Sequence, residues 1–138
     1  MTEAFRERGS VLMLMPAAVL ILVILGAIAV DRAVIFGAQR DLVATAEAAA
    51  NDAAGLGLAV DDLRANGTKH YDPGRINRAV ALAADRADGQ VTASWELRGS
   101  VVVVHLSRRV KLVFSQAIPG SAGTQIVVAT ATASLISS

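Results

Sequence analysis

Residues 11–30 constrain most strongly what this chain can fold into. They read VLMLMPAAVLILVILGAIAV and contain no charged side chain. An α-helix of this length extends about 30 Å, which matches the thickness of the hydrocarbon core of a bilayer. A soluble core does not need such a segment at its start, so we predict that this run spans a membrane. Residues 31–138 are then the part of the chain that this helix anchors to the membrane.

A cleavable secretory signal is the alternative for this segment. Arg6 and Arg8 precede the run, and Ala27-Ile28-Ala29 offers a small-x-small cleavage site. The apolar core of a signal peptide, however, usually runs for about 7–15 residues, which is shorter than this run. We therefore predict a retained single-pass anchor. Because a short tail before such an anchor commonly stays inside, residues 1–10 are predicted to be cytoplasmic and residues 31–138 extracytoplasmic.

The composition excludes several classes of function. The net charge is +1 and 18% of the residues are charged, so no basic field points to nucleic acid. The chain has no cysteine, which excludes disulfides, thiolate nucleophiles and zinc–thiolate sites. His70 and His105 have no second ligand at metal-binding spacing, and we assign them ordinary structural roles. We predict a protein that is not an enzyme and has no cofactor.

The helical pattern continues beyond the apolar run. Residues 31–56 are rich in strong helix formers and contain no proline. An apolar stripe at helical spacing follows this part of the chain, and Gly55 and Gly57 supply its end. One helix from residue 11 to residue 56 is the simplest prediction. The stripe consists of Ile35, Leu42, Ala46, Ala49, Ala53 and Leu56.

A second, short helix is predicted after a connecting segment. Asp72 is suited to the capping position and Pro73 to the first helical position. The apolar residues that follow recur at helical spacing, and Asp88-Gly89 ends the pattern. This helix has an apolar face of its own to bury.

After Gly89 the apolar residues alternate, which indicates β-strands. Arg98-Gly99-Ser100 is a tight turn, so the first two strands form a hairpin. Residues 110–117 fit either a strand or a short helix. The alanine face of the last strand can lie close to a helix, and we predict an α+β fold in which a small antiparallel sheet packs on helices. The predicted strands cover residues 91–97, 101–108 and 125–135.

Both ends of the chain carry a recognisable pattern. The first part reads RERGSVLMLMP and then AVDRAVIFGAQRDLVATAEAAANDAA, and the last part reads VVVVHLSRRVKLVFSQAIPG followed by IVVATATASL. These segments resemble TadE/TadG-like proteins of the tight-adherence (Flp) pilus system, over residues 6–56 and 100–135. The order of elements resembles that of type IV pilin-like proteins, with a long helix half in the membrane and a head on its outer half.

The resemblance implies a membrane-anchored minor pilin or pseudopilin-like component of a tight-adherence pilus or a related secretion apparatus. It would lie in the inner (plasma) membrane of a bacterium, with its head extracytoplasmic. Its partners would be the lipid bilayer, other pilin-like subunits packed through the N-terminal helix, and the pilus assembly machinery. A membrane-tethered extracytoplasmic binding domain unrelated to pili is the alternative, and a secreted soluble protein is a third.

The resemblance also implies a leader-peptidase cleavage site between Gly9 and Ser10. Pilin precursors and the TadE branch carry glutamate at the fifth position of the mature chain, where this chain has Leu14. That glutamate would neutralise the terminal amine of a neighbouring subunit, which Leu14 cannot do. We therefore predict that the chain stays uncut, like the TadG branch that lacks this glutamate, and acts at the base of a pilus or during its initiation.

Asp31 and Arg32 lie where the apolar run ends. Charged side chains are costly inside lipid, so this pair marks the depth of the helix in the membrane. Polar residues at the water boundary are the ordinary explanation. A membrane-exit contact with a neighbouring subunit is the functional alternative.

Overall fold

A single helix forms the first part of the protein. The computed structural model describes residues 4–58, 63–65, 67 and 70–135, with side chains described from residue 14. Helix α1 (Ala4–Leu56) is 53 residues long, and Pro16 lies inside it without ending it. The prediction of one unbroken helix is therefore confirmed. It begins earlier than residue 11 because the preceding stretch, AFRERGS, also contains good helix formers.

The two halves of α1 have different surroundings. Side chains between residues 14 and 30 are exposed almost throughout. From Leu42 onward one face is buried, as the predicted stripe requires, and Ile35 is partly buried against the same core. Leu56 is 61% exposed, so its place in the stripe was wrong. The helix ends there, and the buried residue at this point is Gly57.

Helix α2 (Pro73–Arg86) packs against α1 and against the sheet. The Asp72 side chain caps it by accepting a hydrogen bond from the Gly74 amide at 2.8 Å, and Pro73 is its first residue. The predicted start of this helix is therefore confirmed. Its buried residues are Ile76, Ala79, Val80 and Ala83.

Three antiparallel strands form one sheet in the order β1-β2-β3. They are β1 (Val91–Arg98), β2 (Val101–Lys111) and β3 (Thr124–Ser134). All three predicted strands are confirmed. Strand β2 is longer than predicted because its pairing with β3 continues to Lys111. The segment that fitted either structure contains both, since β2 continues into it and it ends as the 3-10 helix Ser115–Ala117.

The core lies between the inner face of the sheet and the two helices. Strand β2 contributes Val102, Val104 and Leu106, and α1 contributes mainly alanines. Because alanine side chains are short, the helix backbone can approach the sheet closely. The inner face of β3 consists of Val127, Ala129, Ala131 and Ala133, with Leu135 following the strand.

Overpacking this face should destabilise the protein. Ala131 is 8% exposed, on the buried face of β3. We expect Ala131→Leu to lower the free energy of unfolding by about 1–3 kcal/mol, because the added carbons force neighbouring groups apart. Denaturant unfolding of the full-length protein in detergent measures this. Thr132→Leu, on the exposed face, is the control, and equal stability of the two variants would contradict close packing.

Candidate functional site

The loop between β2 and β3 meets α1 where the apolar run ends. We call residues 112–123 the junction loop. The Asp31 carboxylate accepts hydrogen bonds from the backbone amides of Val113, Phe114 and Ser115 at 2.7, 3.0 and 2.9 Å. The Ser115 hydroxyl donates a fourth at 2.6 Å. Asp31 is 6% exposed, so its carboxylate is buried between the helix and the loop.

Hydrogen bonds to the charged form of Asp31 stabilise that form. Successive amides that point to one spot make a small anion-binding concavity. The bond from the Ser115 hydroxyl has the largest effect and the bond from the Phe114 amide the next, and together with the other amides they lower the pKa of Asp31 to about 2 although burial opposes this. Asp31 is therefore ionised at neutral pH and holds the loop as a carboxylate.

Acid should weaken this junction. The pKa of Asp31 is about 2 in the folded protein against an ordinary value of 3.8, so the folded state binds this proton less tightly. The stabilisation is complete above the unfolded-state pKa and is lost as the pH falls through the folded-state pKa. We expect the free energy of unfolding to fall less steeply with acid in Asp31→Asn than in the natural protein over this range. Asp52→Asn, at an exposed site, controls for the loss of one carboxylate. An unchanged slope in Asp31→Asn would contradict this role of Asp31.

A second polar contact joins the sheet to α1, about two to three helical turns beyond Asp31. Arg108 lies on the inner face of β2, and its side chain is 9% exposed. Its guanidinium donates to the Asp41 carboxylate at 3.0 Å and to the carbonyl oxygens of Ala38 and Asp88 at 2.9 and 2.7 Å. One side chain thus connects β2, α1 and the turn after α2.

The outer face of the sheet carries a shallow polar group. His105 Nδ1 lies 2.9 Å from Thr130 Oγ1, and His105 Nε2 lies 3.6 Å from a Glu96 oxygen. The same Glu96 oxygen lies 2.6 Å from Arg98 Nη2. The side chains of Glu96, Arg98 and His105 are at least 40% exposed, and contacts between polar side chains at such a surface contribute little to stability. Within the described part of the chain, no three His, Asp or Glu side chains are grouped to hold a metal ion.

The apolar half of α1 is exposed from Leu14 to Val30, apart from the partly buried Ala27. In the part of the chain that the structure describes, α1 is the one helix long and apolar enough to cross a membrane. Leu14, Leu20 and Leu25 are among its exposed side chains. A helix that is apolar all round is stable in lipid or against other apolar helices.

No family model, no curated protein and no solved structure matches this chain. Its long N-terminal apolar helix and three-stranded antiparallel sheet are compatible with the pilin-like architecture predicted above. The resemblance to TadE/TadG-like proteins stays a prediction.

The structure distributes the predicted site residues over different environments. Gly9 and Ser10 lie in the first turns of α1, and their side chains are outside the described residues, so cleavage between them stays a prediction. Arg32 is exposed, as a residue at the water boundary would be. Asp31 is buried and bound within its own chain. A contact of either residue with a neighbouring subunit stays a prediction.

Sequence reasoning missed Arg108. Alternate residues of a strand face the same side, so Arg108 lies on the inner face of β2 with the buried Val104 and Leu106. A charged residue in that phase needs buried partners, and this signal was present in the sequence. Its partner Asp41 lies 67 positions away, which no local pattern could supply.

Proposed function

We propose that this protein is a membrane-anchored minor pilin-like or pseudopilin-like component of a tight-adherence (Flp) pilus or a related secretion apparatus. Its role is structural. The apolar half of α1 holds the subunit in the bilayer and packs against the helices of other subunits, while the head caps or primes the filament. The supporting observation is α1 itself, which is apolar and exposed from Leu14 to Val30 and has one face buried against the rest of the head from Leu42 onward.

The direct connection between span and head favours assembly over tethering. A binding domain held at a membrane needs only a flexible linker, and such a linker leaves the height and direction of the domain undefined. Here the same helix continues from one part into the other, with the junction loop attached to it at Asp31 and the sheet attached to it through Arg108. Packing of the apolar halves would therefore place the heads at a defined height. The alternative of a membrane-tethered binding domain does not require this rigidity.

Cysteine cross-linking tests the proposal, because the chain has no cysteine of its own. Val19→Cys lies in the exposed apolar half of α1, and Ser94→Cys, on the exposed outer face of β1, is the control. The partner is a short pilin encoded beside this gene, carrying one cysteine in its own apolar helix. We expect a disulfide adduct from position 19 and none from position 94.

The outcomes separate the two functions. A gene neighbourhood without a secretion ATPase and a short pilin, or an absence of adducts from position 19, would favour the tethered binding domain.

An impermeant maleimide added to intact spheroplasts reports orientation, because Ser94→Cys is labelled only if the head is outside. N-terminal sequencing of the native membrane protein tests processing. We expect an uncut chain, and a mature chain that starts at Ser10 would show instead a subunit fit for the pilus shaft.

A further inference from the structure

We propose that the junction loop is a second membrane contact, resting in the headgroup and outer acyl region of the bilayer that α1 spans. This inference rests on the membrane-anchored part of the proposed function and is independent of the pilus. The loop and the span would then hold the head at two points, which restrains its tilt relative to the membrane surface.

The position of the loop carries the first part of the inference. Asp31 is the first residue after the apolar run, so it lies where the helix leaves the hydrocarbon. The backbone nitrogens of Val113, Phe114 and Ser115 all lie within 3.0 Å of its carboxylate oxygens. The junction loop is thus held at the level of the lipid headgroups, although more than eighty positions separate it from the span in sequence.

The exposed side chains of the loop suit that level. Val113, Phe114 and Ile118 are 55%, 44% and 59% exposed, and all three fall within six consecutive positions. One exposed apolar side chain is ordinary on a protein surface, but a group of large ones marks an interaction site. Apolar side chains at the boundary between headgroups and acyl chains bind a bilayer through the area that they remove from water.

Several backbone amides of the loop have hydrogen-bond acceptors within the protein, which suits an environment poor in water. Irregular backbone is costly there unless its amides have acceptors within the protein. The Leu112 amide donates to the Gly123 carbonyl at 3.0 Å, and the Ala117 amide donates to the Phe114 carbonyl at 2.9 Å. Asp31 supplies the acceptor for the next three amides, those of Val113, Phe114 and Ser115. The buried carboxylate therefore accepts the hydrogen bonds that water would otherwise have to accept from these amides.

The charges around the loop favour an anionic bilayer surface. Arg109 and Lys111 are exposed at the end of β2, and Arg32 is exposed beside Asp31. No Asp or Glu follows Glu96 in the sequence. Exposed cations close to the membrane are attracted to lipid phosphates, and no acidic residue within the loop opposes them.

Spin labelling of the full-length protein in vesicles tests the contact. Single cysteines replace Ile118 in the loop, Leu20 in the span and Thr132 at the far end of β3, and each carries a nitroxide. Vesicles contain phosphatidylcholine and phosphatidylglycerol. Molecular oxygen concentrates in lipid and a water-soluble nickel chelate is excluded from it, so collision rates with the two reagents report depth. Val113→Cys is a second loop variant that keeps Ile118 and Phe114 in place.

We expect the labels at 118, 113 and 20 to collide more with oxygen than with the chelate, and the label at 132 to do the reverse. Lipid-type behaviour at 20 with water-type behaviour at both loop positions would overturn the inference and leave the anchor intact. Water-type behaviour at 20 would overturn the anchor as well. Low collision rates with both reagents in the loop would overturn the inference in favour of a protein surface, such as another subunit, that covers it.

Discussion

Replacing Arg108 with alanine is expected to lower the free energy of unfolding by about 2–4 kcal/mol. The side chain is buried and donates to the Asp41 carboxylate and to the carbonyl oxygens of Ala38 and Asp88. A hydrogen bond that involves a charged group contributes about 1.5–3 kcal/mol, and a buried acceptor left without a donor adds a desolvation cost. The loss should therefore exceed that of an ordinary surface ion pair.

The partner of Arg108 provides the sharpest control. The Asp41 side chain is 55% exposed, so water can replace the guanidinium if the pair is broken from that side. We expect Asp41→Ala to cost only about 0–1 kcal/mol, because Arg108 keeps its two carbonyl acceptors. Arg109→Ala, at the exposed neighbouring position, controls for the loss of a positive charge. Equal effects of Arg108→Ala and Asp41→Ala in denaturant unfolding of the full-length protein would show that the ion pair alone matters.

Gly57→Ala is expected to destabilise the protein by about 1–3 kcal/mol. A Cβ at this position would lie 2.5 Å from the Ala53 carbonyl oxygen and 2.6 Å from Ile76 Cγ1. Ile76 is completely buried, so it has little room to move. The Gly57 carbonyl also accepts a hydrogen bond from the Asp72 amide at 2.9 Å, which fixes the start of α2 against the end of α1. Relief of the clash would shift both helices.

Gly55 offers a matched comparison two positions earlier. A Cβ there would meet nothing within 4 Å, and the residue is part of α1. We expect Gly55→Ala to stabilise the protein by about 0.5–1 kcal/mol, because alanine loses less backbone freedom in a helix. Thermal or denaturant unfolding of both variants measures the contrast. Similar effects at the two positions would mean that the end of α1 is not crowded.

Those two glycines show how far local patterns extend. Both were predicted to end α1, and the sequence offers no difference between them. The structure separates them, because Gly57 meets Ile76 of α2 and Gly55 faces open space. Likewise, the hairpin pattern predicted β2, yet the acceptors of Arg108 lie on α1 and in the turn after α2. Contacts between distant segments decide such positions, and periodicity carries no information on them.

Asp31, at the candidate site, also shows what a sequence pattern can and cannot predict. Its place at the end of an uncharged run follows from the sequence, since a carboxylate inside lipid is costly. Its burial does not follow, because the amides that bind it belong to residues 113–115 and reach it only when β2 and β3 pair in register. The pattern predicted a boundary residue, and the folded chain turns that residue into the attachment point of the junction loop.

The sequence by itself determined the elements: the apolar span, its continuation as one helix, the capped second helix and three strands. These depend on the period of apolar residues and on capping and turn residues, which are local properties. Only the tertiary structure decided how the elements meet: Asp31 attaches the junction loop to α1, Arg108 attaches the sheet to α1, and Gly57 allows α2 to lie close. The physical reason is that a buried charge or a missing side chain gains its role from neighbours that are near in space and far apart in the chain.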